Sequence, residues 1–421
     1  MIYSLPFLIA LSGVNLVIGD LNFRFDQILS TILLMILLFK QFSGRKSIYF
    51  DRPSKMIILY IFINILSSIL FSPNVKYSLS QVINFSSCWL IYLVVINYID
   101  TEKKYYTFFR LFMIAGILEI GYGVAGFFVA RTGIPVYGIN SDIDLLLNPG
   151  MAYGIQATMK EPNIFGNYAM MYFIFAFGLM STRNYIFFSK RLYIILVILF
   201  ALGTLLSFTR GAWLGGFIGI LCFIFIAKKI FKTKIKFSKF VLITSLVFII
   251  VQVIISEKAV NINFFQYKYA HMIDIDSGTG AYRILVYYHA YKDILKNPLL
   301  GNGTFSFGEI ETPNAPRQLK AFIPSFLVMS IHDTGIIGVV VIIYLFYLLA
   351  KYSISSAYSL NKINDYRLAA LSISFLGALT GMFVAFQSSS GLTLGYSWVI
   401  LGMIGALYRI TQNKKLKETI S

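Results

Sequence analysis

The segment Ser207–Gly219, SFTRGAWLGGFIG, places Arg210 at a turn between two apolar stretches and follows it with Gly211, Gly215 and Gly219 at helical spacing. An Arg at the start of a helix stands where unsatisfied N–H groups and the helix dipole favour an anion. Its guanidinium is a planar, permanently charged fork suited to phosphate oxygens. An Arg at the end of a membrane span also snorkels to lipid headgroups, so pattern alone leaves both readings open. The glycines make a smooth face that lets another helix come close. Arg283 is a second candidate cation. It follows the Gly278-Thr279-Gly280 turn on a segment with helical periodicity. There it either faces the same anion or is a solvated helix charge.

Two further clusters could move protons. In Lys160–Tyr168, KEPNIFGNY, Pro162 suits the first turn of a helix, and Glu161 with Asn163 brings polar groups to the lip of a span. A carboxylate there could hold a sugar hydroxyl or act as general base, or simply cap the helix. In Phe322–Gly338, FIPSFLVMSIHDTGIIG, His332 and Asp333 could form an acid/base unit, although neighbours on a helix point about 100° apart. Glu119 lies within an apolar stretch, where an acid is expensive and is a functional candidate by default, or is buried and protonated. No metal site is expected: the three His are scattered at 271, 289 and 332, and Cys88 and Cys222 lie in separate spans as packing residues. No Walker-type glycine-rich loop occurs, and no cofactor is implied.

The elements that must position these groups are read from composition. The 421 residues are 57% hydrophobic and only 13% charged, with 39 Phe and 28 Tyr, whereas a soluble domain has about 25% charged residues. Apolar blocks of spanning length predict an all-α, polytopic integral membrane protein with about 12 transmembrane helices. They fall near residues 2–19, 26–40, 56–72, 80–99, 108–130, 163–181, 192–208, 212–227, 240–256, 324–350, 368–386 and 393–410. The first lacks a basic n-region and a small-residue cleavage site, so it reads as a retained span. The net charge of +18 is carried mostly by short loops on one side, including Lys40–Lys55, Lys228–Lys239 and Arg409–Lys417. That is positive-inside asymmetry, which puts both termini in the cytoplasm and argues for no nucleic-acid partner.

Residues 1–421 therefore read as a single membrane domain with two longer external segments, 131–162 and 257–323. Long segments in a compact fold are usually functional, so the chemistry is expected on the outer side. Within the second, Ala281–Leu295 predicts an amphipathic helix, with Ile284, Leu285, Tyr288, Tyr291 and Leu295 on one stripe. Tyr suits the membrane–water boundary, where this helix is expected to lie.

Taken in order, SFTRGAWLG at 207–215, Arg283 followed by NPLLGNG at Asn297–Gly303, and HDTGIIG at 332–338 resemble the O-antigen ligase/polymerase superfamily of bacterial envelope glycan enzymes. The first is similar to the family's S-x-S-R-G-x-x-x-G hairpin. The likeness covers residues 160–345 by motif and the rest by hydropathy alone. It implies a metal-independent glycosyltransferase in the bacterial inner membrane, with its active site facing the periplasm. Its donor would be a glycan on undecaprenyl diphosphate, its surroundings membrane lipid, and a separate chain-length regulator would be a partner. Arg210 and Arg283 match the two family arginines implied to grip the diphosphate. Glu161 is the first choice for the base. Ser207, Gly211, Asn163, Tyr282, His332 and Asp333 are the expected substrate-binding groups.

One departure points within the superfamily. The ligase branch carries a His where this chain has Pro324, and His332 lies two turns further on. The chain therefore looks like an O-antigen polymerase (Wzy type), with lipid-linked repeat units as both donor and acceptor. The alternatives are a ligase that moves finished glycan to a lipid or protein, and a flippase for the same lipid-linked glycan.

Overall fold

The computed structural model describes residues 1–18, 21–45, 47–130, 132, 134–139, 154–159, 161–183, 185–232, 278–312, 315–320, 322–389 and 391–420. The chain is an all-α, polytopic membrane protein. Among the described residues, eight helical stretches are long and apolar enough to cross a membrane: Phe25–Phe42, Arg52–Phe71, Val75–Tyr98, Glu102–Ala130, Pro162–Ser181, Arg210–Phe231, Phe326–Lys362 and Tyr366–Ser388. Two more helices, Lys190–Leu206 and Gly395–Ile420, pack into the same bundle. The expected span at 240–256 lies outside the described residues.

The expected first span does not form one helix. Residues 2–19 break into a 3-10 turn, a short helix α1 (Leu5–Ala10), and a strand β1 (Asn15–Ile18) paired antiparallel with β2 (Leu21–Arg24). The physical reason is local. Gly13 and Asn15 favour turns, and the two residues separating the strands in sequence, Gly19 and Asp20, are hairpin types. Arg24 anchors the far end of this hairpin, donating from Nη2 to Cys88 Sγ at 2.6 Å and to the Thr393 carbonyl at 2.9 Å. Cys88 is fully buried and serves as this acceptor within the packed interior.

The helices that matter for the site are α2 (Phe25–Phe42), α3 (Arg52–Phe71), α4 (Val75–Trp89), α5 (Ile91–Tyr98), α6 (Glu102–Ala130), α7 (Pro162–Ser181), α8 (Lys190–Leu206), α9 (Arg210–Phe231), α10 (Gly278–Ile294), α11 (Phe326–Lys362), α12 (Tyr366–Ala385) and α13 (Gly395–Ile420). The glycine stripe after Arg210 does what its spacing predicts. A Cβ on Gly215 would lie 2.5 Å from the Gly381 carbonyl oxygen, and one on Gly219 would lie 2.6 Å from that of Gly377. Reciprocally, Gly377 and Gly381 abut the carbonyls of Gly219 and Gly215. Helices α9 and α12 thus touch backbone to backbone, the close approach that small residues permit in membranes.

Glu119 of α6 is buried and acts as a latch. Its Oε1 accepts from Thr158 N at 2.9 Å, and its Oε2 stands 2.7 Å from Thr158 Oγ1. The Thr158 hydroxyl is shared between Glu119 Oε2 and the Ala10 carbonyl, 2.8 Å away. The latched segment, 154–159, leads directly into Glu161. Glu119→Gln is expected to preserve the melting temperature in detergent. Glu119→Ala is expected to lower stability by about 1–3 kcal/mol, because it strands a partly buried N–H. Equal melting of the two variants would remove the latch.

Candidate active site at one end of the bundle

The ends of α7, α8, α9 and α12 gather around the turn 207–209. Ser207 Oγ donates to the Thr204 carbonyl at 2.7 Å, and Trp213 Nε1 donates to the same oxygen at 2.9 Å, which closes the hairpin between α8 and α9. Phe208 is held at φ +52°, a backbone region uncommon for a side-chain-bearing residue and kept only where the surroundings impose it. Thr209, the N-cap of α9, makes no capping bond; its hydroxyl donates to the Pro162 carbonyl at 3.1 Å. That bond ties the start of α9 to the start of α7. Arg210 follows as the first residue of α9, with its side chain exposed.

Glu161 is the N-cap of α7, but its side chain makes no capping hydrogen bond and is exposed. The Thr209–Pro162 bond therefore joins the residue before Arg210 to the residue after Glu161. One turn into α7, a Cβ on Gly166 would lie 2.4 Å from Ser207 Oγ, so the two helix starts are in direct contact. Ser207 itself is buried and engaged within its turn.

The second arginine arrives from a helix of the long segment. Helix α10 spans Gly278–Ile294, close to the expected bounds, and buries Val286 and Ala290 against Ile323. Its Ile284, Tyr288, Tyr291 and Leu295 are each at least half exposed and face away from the bundle. Arg283 Nη2 reaches the Ser388 carbonyl at 3.4 Å. Gly211, next to Arg210, meets the same residue, since a Cβ there would collide with Ser388 Oγ. Arg283 and Gly211, the residue after Arg210, thus meet at one short strap, the 3-10 turn Phe386–Ser388 that ends α12. Tyr282 belongs to the same helix as Arg283.

The strap was not among the residues picked out from sequence. It is pinned from several sides. Gln387 Nε2 donates to the Phe383 carbonyl at 2.8 Å, Ser325 Oγ donates to Gln387 Oε1 at 3.3 Å, and Asn167 Nδ2 donates to Ser389 Oγ at 2.8 Å. The signal available in sequence was the polar run Gln387-Ser388-Ser389-Ser390 between two apolar spans.

His332 and Asp333 are placed elsewhere. His332 is buried, its Nδ1 lies 2.8 Å from Asp333 Oδ1, and its Nε2 lies 3.8 Å from Asp293 Oδ2 near the far end of α10. Ten residues separate Asp293 from Arg283, about 15 Å along a helix. Asp333 Oδ2 accepts from Phe305 N at 3.0 Å, and the carbonyls of His332 and Asp333 accept from Asn302 N and Gly303 N. Helix α11 breaks just after them, at Gly335 with φ +63° and ψ −168°. Into that break packs the Asn297–Gly303 loop: Ile336 N donates to the Pro298 carbonyl and Ile337 N to that of Leu299. NPLLGNG and HDTGIIG are therefore two halves of one lock. His332 and Asp333, expected as substrate-binding groups, are engaged in this lock.

The His332 contact is also the main reason that the Asp293 carboxyl is held down at about 2, with Lys296, 2.7 Å from it, assisting. A lowered carboxylate contributes stability that is present above its unfolded value, near 3.9, and lost as pH falls through the folded one. The wild type is expected to melt higher than Asp293→Asn at pH 5–7, with the gap closing as the pH is lowered from about 4 to about 2. A gap independent of pH would remove this pin.

Residues 195–325 match the O-antigen ligase family. No curated protein matches the chain. The O-antigen ligase match supports placement in the O-antigen ligase/polymerase superfamily, whose members are glycosyltransferase-like enzymes acting on lipid-linked glycans. It contains Ser207, Arg210, Gly211, Tyr282 and Arg283. Glu161, Asn163, the strap, His332 and Asp333 lie outside it. The match thus embraces both arginines, and the chain brings its remaining groups from α7 and α12 to meet them.

Proposed function

We propose that this protein is a surface-polysaccharide polymerase. It would join undecaprenyl-diphosphate-linked repeat units at the outer face of the bacterial inner membrane, releasing undecaprenyl diphosphate. The observation that carries this reading is the hydrogen bond of Arg283 to the Ser388 carbonyl, where Gly211, the neighbour of Arg210, also packs, with Glu161 exposed at the helix start that Thr209 ties to α9. Two arginines on helices that meet at one strap suit a diphosphate better than a single anionic headgroup. The opposite ends of the helices carry Lys40, Lys55, Lys103, Lys104, Lys228, Lys229, Lys362 and Arg409, and the positive-inside rule then supports an outward-facing site.

In the reaction, an acceptor hydroxyl gives its proton to the Glu161 carboxylate as its oxygen attacks the donor's anomeric carbon. The bond from that carbon to the diphosphate breaks, and the electron pair leaves with the diphosphate oxygen. Arg210 and Arg283 stabilise the charge that grows there, so they contribute more in the transition state than in the bound donor. The growing chain is the donor and a new lipid-linked unit the acceptor. A chain-length regulator would act from outside this site.

The ligase reading has its own support, since the matched family is described as O-antigen ligase; Pro324, where the ligase branch carries a His, favours the polymerase. A gel profile of surface polysaccharide from a deletion strain separates them. A ladder that collapses to one core-attached repeat, restored by the wild-type gene, is the expected result. Long polymer that accumulates unattached would mean a ligase. Loss of all surface glycan, with repeat units trapped on the inner leaflet, would mean a flippase.

A further inference from the structure

Asn163 and Asn167 stand one turn apart on α7, so their side chains share a face of that helix. Among the described residues, each has a buried Oδ1 with no hydrogen-bond partner. Asn167 is 1% exposed, and its Nδ2 is already spent on Ser389 Oγ of the segment that follows the strap. Buried amide oxygens in native proteins are nearly always satisfied, and an unsatisfied pair on one face calls for donors from elsewhere. The surroundings say which donors. Gly166, between them in sequence, packs on Ser207 and Thr209, the turn that delivers Arg210. Ser389 follows Ser388, the residue that Arg283 touches.

We infer that Asn163 and Asn167 form a sugar-recognition subsite for the donor. Their amide oxygens accept hydroxyl or N-acetyl N–H protons of the first sugar attached to the diphosphate. Amide oxygens of Asn are acceptors only and carry no charge, so they suit neutral donors on a pyranose and would gain nothing from the phosphate oxygens themselves. The diphosphate is held by the arginines and the sugar by the asparagines, so the bond between them is fixed from both sides. This subsite rests on the diphosphate reading of Arg210 and Arg283.

The test is binding of two probes to the full-length protein in detergent: undecaprenyl diphosphate alone, and the lipid-linked repeat unit extracted from a strain deleted for this gene. Asn163→Leu and Asn167→Leu are each expected to weaken the repeat unit about tenfold, roughly one lost hydrogen bond near the upper end of its range. Asn163→Leu should leave the affinity for undecaprenyl diphosphate unchanged. Asn163→Leu should also melt no lower than wild type, because it removes an unsatisfied buried oxygen and breaks no bond. The inference is overturned if Asn163→Leu weakens both probes together, if neither variant weakens the repeat unit, or if Asn163→Leu melts clearly lower, as a structural role would require. Arg210→Ala separates this failure from that of the underlying reading. Undiminished binding of undecaprenyl diphosphate to that variant would remove the diphosphate site itself, whatever the asparagines do.

Discussion

Arg210→Ala and Arg283→Ala will each slow glycan transfer by about 10²–10³-fold, the usual cost of deleting one preorganised donor to a developing anion. The protein should remain folded. Arg210 is exposed at the first position of its helix, and the hydrogen bond of Arg283 to the Ser388 carbonyl is long. Arg210→Lys should recover little, because a two-pronged planar contact becomes a point charge on a flexible stem. The double variant should be less than the product of the two singles, since both groups act on one leaving group. The measurement is polymer formed per unit time from extracted lipid-linked repeats, with membrane protein level as the control. Variants that keep near-wild-type rates would eliminate the arginines as leaving-group stabilisers. Glu161→Gln, read in the same assay, reports the base independently.

Gly335→Ala will remove most folded protein from the membrane, with a destabilisation on the order of 4 kcal/mol, at the exceptional end for one substitution. Two costs combine. At φ +63° and ψ −168° the backbone occupies a region that is essentially glycine's alone. A Cβ there would also sit 2.2 Å from the Leu299 carbonyl oxygen and 2.5 Å from Leu300 N, both backbone atoms that cannot swing aside. Relief would require expelling the Asn297–Gly303 loop from the break, leaving Ile336 N and Ile337 N without acceptors. Gly121→Ala is the control, because nothing lies within 4 Å of a Cβ at that position, and alanine in a helix gains roughly 1 kcal/mol over glycine. Detergent melting of both variants decides the matter. Equal melting temperatures would show that the break tolerates a side chain and is not a lock.

The sequence revealed those features whose physics is local or periodic. Apolar blocks of spanning length announced the bundle, and the helical interval of Gly211, Gly215 and Gly219 announced a close helix contact, met by Gly377 and Gly381. The stripe on α10 was legible too, although Ile284, Tyr288, Tyr291 and Leu295 turn outward while Leu285 packs inward beside Val286 and Ala290. Hydropathy averaged over residues 2–19 concealed turn formers that divide the stretch into a helix and a strand. The strap at 386–388 carries no charge and no motif; its meaning comes only from what reaches it across the fold. His332 and Asp333 show a related limit of pattern. An acid beside a histidine looks the same in sequence whether it faces a substrate or caps a buried loop, and here it receives Phe305 N.

The break in α11 also bears on how the chain is made. The Ser67 hydroxyl of α3 donates to the Asp333 carbonyl 266 residues later, and Gly303 N and Thr304 N donate to the hydroxyls of Ser67 and Ser68 across 236 residues. Membrane helices emerge from the ribosome in order, so these bonds form only after the later half of the chain has been made. Until then the Ser67 and Ser68 hydroxyls have the carbonyls of their own helix to donate to, since lipid offers no water. The contacts that brace the break therefore join an early helix to a late one, and α3 takes its final partners late in synthesis.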